Sequence, residues 1–186
     1  MKTVYLLRST SRNTCSFIQD YSDDEESIIG ISMRQWWKSL ENYASPIVLE
    51  LRRADSGKKN YQFDFSSALN PFMVISEDAL DKLKDILEPR GQIRPVITDS
   101  KRKVFFGYYP TNPLSGCFDK DKSVYREYPK GLMIEKPVLI SSNITDDYLF
   151  SIEEDIRRVF ITDKFKRRVE DAGLLGFDFS VEIPTS

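Results

Sequence analysis

The feature that most limits how this chain can fold is a phrase it states twice. Residues 72–97 read "FMVISEDALDKLKDILEPRGQIRPVI" and residues 159–182 read "VFITDKFKRRVEDAGLLGFDFSVE". Each passes from a short apolar run to a hydroxyl residue, an acid, a helical pattern, a glycine and more apolar residues. "FMVI" and "VFI" have strand length, and Ser76 and Thr162 stand where a side-chain oxygen can cap a helix by accepting from an orphaned N–H. Glu77, Asp78 and Asp163 follow in the first turn, where the helix dipole favours negative charge. Leu80, Leu83 and Leu87 make one inward stripe; Phe165, Val169 and Ala172 make the other. Gly173 supplies a left-handed stop, with Leu174 packing back behind it. After Gly176, the residues Phe177, Phe179, Val181 and Ile183 alternate with Asp178, Ser180 and Glu182, the pattern of a half-buried strand. Every polar residue of the phrase therefore has a backbone task, and its hydroxyls read as caps before they read as nucleophiles.

The remaining segments extend this grammar. "TVYLL" at 3–7 reads as a first strand, and Asp20, Asp23, Asp24, Glu25 and Glu26 make an acidic loop. Residues 32–45 predict a helix capped by Ser32, with Trp36, Leu40 and Tyr43 facing the core, Trp37 about 100° away and half exposed, and Pro46 as the stop. Ile47, Leu49 and Leu51, then Tyr61, Phe63 and Phe65, alternate on either side of "DSGKKN" and predict a β-hairpin. "IRPVI" reads as an edge strand or an irregular one, because Pro95 has no N–H to donate, and "KVFFGYYP" as the strand joined to it by "TDSKR". Residues 110–136 are rich in Pro, Gly and charge and predict a long excursion with at most a turn of helix. "PVLISS" resumes a strand, and "DDYLFSIEEDIRR" reads as amphipathic but weak as a helix, the alternative being extended chain at "YLFSI". The fold class that follows is α+β: mostly antiparallel sheet with a few short helices, containing two strand–capped helix–Gly–strand units. One domain over 1–186 is expected, the alternative being an N-terminal lobe at 1–58 beside an α+β core at 59–186.

Composition narrows the chemistry. The chain has no histidine, which removes Ser-His-Asp and Cys-His catalysis and HExxH metal sites. Neither GxGxxG nor GxxxxGK[ST] occurs. Cys15 and Cys117 stand far apart with no CxxC spacing and read as reduced, structural thiols. Catalytic residues, cofactors and metal are all expected to be absent. Net charge is −2, and the basic runs "KFKRR" (164–168) and "SKRK" (100–103) sit beside acids, so no stripe for nucleic acid is expected. No apolar run approaches the ~20 residues that cross a bilayer, and the N-terminus lacks a secretory pattern; a soluble, cytoplasmic protein is the expectation.

The order of the phrases carries a resemblance. "FDFSSALNPFMVISEDALDKL", then "RPVITDSKRKVFFGYYPTNP", then "DDYLFSIEEDIRRVFITDKFKRRVEDAGLLGFDF" resembles a family of bacterial immunity proteins of polymorphic toxin systems, once catalogued as a domain of unknown function. That family shows an aspartate–aromatic pair ahead of a strand–Ser–helix unit, a strand pair, a variable middle, and a C-terminal F-[IV]-[ST]-x-x-[FL]-K…G-L-x-G-F-x-F. Asp64–Phe65, Ser76, Phe150, Thr162, Phe165, Gly173, Gly176 and Phe177 stand in the matching places, over about residues 60–183. The resemblance implies a non-enzymatic protein that neutralises a cognate toxin in the cytoplasm by direct binding, and it brings no catalytic residues. Such binding relies on aromatic anchors and complementary charge, and an acidic loop suits a basic toxin. The partner-binding candidates are Asp23, Asp24, Glu25 and Glu26 in the loop, Trp37, and Tyr108, Tyr109, Asp119, Asp121 and Tyr125 in or beside the excursion. A carboxylate-dependent hydrolase and, behind it, a nucleic-acid-binding module are the alternatives.

Overall fold

Each copy of the doubled phrase becomes a strand, a helix and a second strand, with a third strand inserted between the two. The computed structural model describes residues 2–10, 15–52, 57 and 60–186. β1 (Val4–Leu6), β2 (Arg8–Ser9) and β3 (Ser16–Asp20) lead through the acidic loop to α1 (Ile28–Gln35). β4 (Val48–Arg52), β5 (Phe65–Ser66) and β6 (Met73–Ser76) precede α2 (Glu77–Leu87). Next come β7 (Gly91–Pro95), β8 (Ile97–Thr98), β9 (Phe105–Pro110), β10 (Pro113–Leu114), β11 (Val124–Tyr128) and β12 (Gly131–Lys136). β13 (Leu149–Ile152), β14 (Asp155–Thr162), α3 (Asp163–Asp171), β15 (Phe177–Asp178) and β16 (Glu182–Ile183) follow.

In the first copy, β6 and β7 both run antiparallel to β9, which lies between them. In the second, β14 and β16 both run antiparallel to β1. The inserted strand comes after the first unit in the chain but before the second. The first unit, extended by β5, makes the sheet β5–β6–β9–β7; the second grows into β10–β13–β14–β1–β16. A third sheet, β3–β4–β8, and the pairs β11–β12 and β15–β2 complete an α+β architecture that is mostly antiparallel. β7 is an edge strand, as Pro95 requires.

The five-stranded sheet is covered on both faces. Leu149, Val159 and Ile161 belong to the large core that also holds Phe165 and Val169 of α3 and the inward stripe of α2. Phe150, Ile152 and Phe160 point the other way, into a second core with Cys117, Phe118, Ile134 and Leu139. A strand buried on both faces reads as a near-continuous apolar run, which is what β13 and the Val159–Ile161 half of β14 show. The excursion is therefore the lid of this second core, and it folds into β10 and a β11–β12 hairpin with no α-helix. "PVLISS" forms isolated bridges at Leu139 and a 3₁₀ turn at Ser141–Asn143 in place of a strand.

Several local expectations change. The helix expected at 32–45 lies at Ile28–Gln35, because Ser27, not Ser32, accepts the capping bond from the Gly30 N–H at 3.0 Å. The predicted hairpin does not form. β4 pairs with β3 and, in parallel, with β8, while β5 pairs with β6. Alternation specifies which face is buried, not which strand lies alongside. Most of its turn, 53–56 and 58–59, lies outside the described residues. The terminal strand divides into β15 and β16, which pair with β2 and β1 respectively. Between them the Asp178 carboxylate accepts from the Ser180 N–H at 2.9 Å and turns the chain. Thr162 occupies the N-cap position of α3, but its hydroxyl donates to the Asp147 carbonyl and makes no capping bond.

Candidate partner-binding cleft

α1 ends at a pair of tryptophans in an unusual conformation. Trp36 and Trp37 have φ of 47° and 65°, left-handed values that cost about 1–2 kcal/mol for each non-glycine residue. The surroundings hold them there. The Trp37 N–H donates to the Tyr109 hydroxyl at 2.9 Å, and that hydroxyl donates to the Ser32 carbonyl at 2.7 Å. The indole N–H groups donate to consecutive carbonyls of the β13–β14 turn, Trp37 to Ile152 at 3.2 Å and Trp36 to Glu153 at 2.8 Å. The Trp37 and Tyr109 rings stack at 6.0 Å. Burial pushes the Tyr109 phenol up to about 12, so it stays a neutral donor. The result is that Trp37 is sealed at 3% exposure while Trp36 is turned outward at 42%.

Trp36 forms one wall of a cleft of about 390 Å³. The β11–β12 hairpin forms the opposite wall. Pro129 and Lys130 make its two-residue turn, and Tyr125 stays with the second core by packing edge-on against Phe118 at 5.5 Å. With Tyr125 and Ile134 facing in, Tyr128 and Met133 are left 52% and 46% exposed on the cleft. Glu154 of the β13–β14 turn and Asp155 to Arg158 at the start of β14 close the end. Two carboxylates here are already neutralised: Glu135 by Arg126 at 3.0 Å and Asp155 by Arg158 at 2.5 Å. Lys130 and Arg157 line the cleft without an ion-pair partner among the described residues. Glu154 turns one oxygen inward, where it has no hydrogen-bond partner. Burial, and then the Glu154 charge, push the Cys117 thiol up, which makes it a poor nucleophile.

The residues singled out from sequence scatter. Trp37, Tyr108 and Tyr109 are not surface residues: all three are buried, Trp37 and Tyr109 in the clamp above and Tyr108 by donating to the Leu87 carbonyl at 2.8 Å. Trp36, expected in the core, is the exposed one; the assumed helix ran through both tryptophans, and the real one stops before them. Asp23, Asp24, Glu25 and Glu26 are exposed in the loop before α1, with Glu26 paired to Arg34 at 2.5 Å. Asp119 organises the turn into the hairpin by accepting from the Asp121 and Lys122 N–H groups, each at 3.1 Å. Asp121 is exposed and Tyr125 is half-buried. Of the cleft residues, the sequence pattern singles out Trp36 but places it in the core, and it does not single out Tyr128, Lys130 or Met133. A signal for them existed, since "YPKG" is a turn with Pro at its second position.

The positions that carried the family resemblance lie elsewhere and are structural. Asp64 is 7% exposed and joins the two copies of the phrase. It accepts from the Ser76 hydroxyl at 2.7 Å, from the Leu175 N–H at 2.8 Å and from Lys103 at 3.1 Å. Burial alone would raise its carboxyl, but those three donors and the Lys103 charge hold it below the ordinary carboxylate range. Ser76 is fully buried and also caps α2, accepting from the Ala79 N–H at 3.1 Å. Phe65 stacks on Phe177 at 4.5 Å, and Phe150 on Phe160 at 5.7 Å.

No protein-family model and no curated protein matches this chain. The likeness to immunity proteins therefore rests on the order of its own phrases. Among the described residues, no group of three or more His, Cys, Asp or Glu is placed to hold a metal ion, and no helix is long and apolar enough to cross a membrane.

Proposed function

We propose that this chain is a non-enzymatic binding protein of the immunity type, which neutralises a cognate bacterial toxin in the cytoplasm by direct contact through the Trp36 cleft. The observation that carries the reading is the clamp on the two tryptophans. Strained backbone persists where surrounding bonds over-determine it, and here the effect of those bonds is to present one indole outward beside Tyr128 and Met133. Trp, Tyr and Met are the side chains enriched at protein interfaces, and a rigid aromatic anchor loses little entropy on binding. The phrase order supports the toxin as partner, because the residues it matches hold the scaffold and leave recognition to the surface.

The test is co-expression with the toxin-like product of an adjacent gene. Growth should be rescued, and the two proteins should co-elute at one-to-one stoichiometry with about 1,200–2,000 Å² buried in total. Trp36→Ala with Tyr128→Ala should weaken the complex by at least ~30-fold, the scale of an interface hot spot. Rescue with no complex, or a complex indifferent to both substitutions, would refute the reading.

A further inference from the structure

The clamp on the two tryptophans has a single oxygen at its centre. An α-helix that continued past Gln35 would bond the Trp36 N–H to the Ser32 carbonyl and the Trp37 N–H to the Met33 carbonyl. The Tyr109 hydroxyl intercepts one group from each of those bonds. It donates to the Ser32 carbonyl at 2.7 Å and accepts from the Trp37 N–H at 2.9 Å, and α1 stops at Gln35. We infer that Tyr109 is the positioning residue of the cleft: its hydroxyl ends α1 and so decides which tryptophan is turned outward. That this sets what a partner meets rests on the binding role proposed above.

The competing arrangement is the helix that the sequence predicts at 32–45. α1 buries Ile28, Ile31 and Ser32. At about 100° per residue, a helix running on in that frame would carry Trp37 about 180° from Ile28, out to solvent. The same turn would bring Trp36 to about 80°, the margin of the buried face. The observed exposures are the reverse, 3% for Trp37 and 42% for Trp36. Burying Trp37 therefore requires the left-handed pair, which is strained. Helix continuation and Trp37 burial are in local conflict, and the hydroxyl resolves it. Gln92 and Arg94 of β7 take hold of the chain only from Ser39 onward. Trp36 and Trp37 themselves are tied down by Tyr109 and by their indole N–H bonds to the β13–β14 turn.

The test uses full chains with one tryptophan. Because the sequence has two, Trp36→Phe leaves Trp37 as the sole indole. In that chain Trp37 should emit at short wavelength and resist quenching by acrylamide. Adding Tyr109→Phe removes two hydrogen bonds and should shift the balance toward the longer helix by about 30-fold. Trp37 emission should then move to the red, quenching should rise, and the helical far-ultraviolet signal should grow. Glycine takes left-handed values without strain, so Trp36→Gly with Tyr109→Phe should shield Trp37 again. General loosening of the core cannot produce that recovery. Trp37 equally shielded with and without the hydroxyl would overturn the inference, and so would exposure that glycine fails to reverse. With both tryptophans present, Tyr109→Phe should also weaken the toxin complex. If Trp37 becomes exposed while the complex persists undiminished, the helix stop is upheld and the cleft reading falls. If the complex weakens with Trp37 still shielded, the cleft reading stands and this inference falls.

Discussion

At the scale of single residues, Asp64 does more for this fold than any charge on the surface. It receives a hydroxyl from one copy of the repeated phrase, a backbone N–H from the other and an ammonium from Lys103. Asp64→Asn keeps the shape but turns an N–H₂ toward one of these donors. It should cost about 2–3 kcal/mol in a urea or guanidinium melt, the scale of a buried polar group left unpaired. The pH dependence follows from the depressed carboxyl. Between the unfolded value, about 3.9, and the lower folded one, the unfolded chain binds more protons, so stability rises with pH across that window. The Asp64 contribution is complete above the window and is lost as pH falls through it. Denaturant midpoints measured from pH 5 downward should therefore decline more steeply in the native chain than in Asp64→Asn.

At the scale of elements, the best-determined boundary is the end of α3. The Leu174 N–H reaches the Val169 carbonyl at 3.2 Å and the Gly173 N–H reaches that of Glu170 at 3.0 Å, with Gly173 at φ 66°. This is the Schellman closure read from "EDAGLL". A Cβ at 173 would meet nothing within 4 Å, so Gly173→Ala should cost only the backbone strain, about 1 kcal/mol. Gly107 in β9 makes the contrast. A Cβ there would lie 2.0 Å from Phe72 Cζ, and Gly107→Ala should cost about 3 kcal/mol through overpacking. Thermal melts of the two variants separate strain from collision.

Elements set by local chemistry were legible in this way: α2, α3, the glycine ending of α3 and the edge character of β7. α1 was misread because Ser27 and Ser32 are equally good caps on paper, and the choice depends on Tyr109, seventy-odd residues away, which holds the Ser32 carbonyl and the Trp37 N–H. The same error exchanged Trp36 with Trp37, and the cleft was lost with it. The hairpin at 47–66 failed for a related reason. Alternation in Ile47–Leu51 says which side is buried, but its neighbours, β3 and β8, are set by packing that no local pattern reports.

At the scale of the molecule, the twice-stated phrase yields two units in which a strand–helix–strand crossover is split by an antiparallel strand, with Asp64 as the joint between them. One unit takes its inserted strand from downstream, the other from residues 4–6. β16 is short but finishes the second unit, and Ile183 is 5% exposed in the smaller core. Removing residues 182–186 should cost at least about 2–3 kcal/mol, since it takes away that side chain, its pairing and the backbone bonds that Pro184 and Ser186 make with Leu139 and Ser141. It also bares an edge of β1, so the truncated chain should self-associate in sedimentation more than the full chain does. A monomeric truncation of undiminished stability would show that β16 is dispensable. The placement of β1 also bears on timing. A ribosome that has made residues 4–6 must reach residue 162 before that strand acquires its first neighbour and residue 183 before its second. At about 5–20 residues per second, that delay is on the order of ten seconds. During it a nascent chain has no finished surface to offer, so on the immunity reading proposed above a cell is guarded by the copies it has already stockpiled, not by those it is still translating.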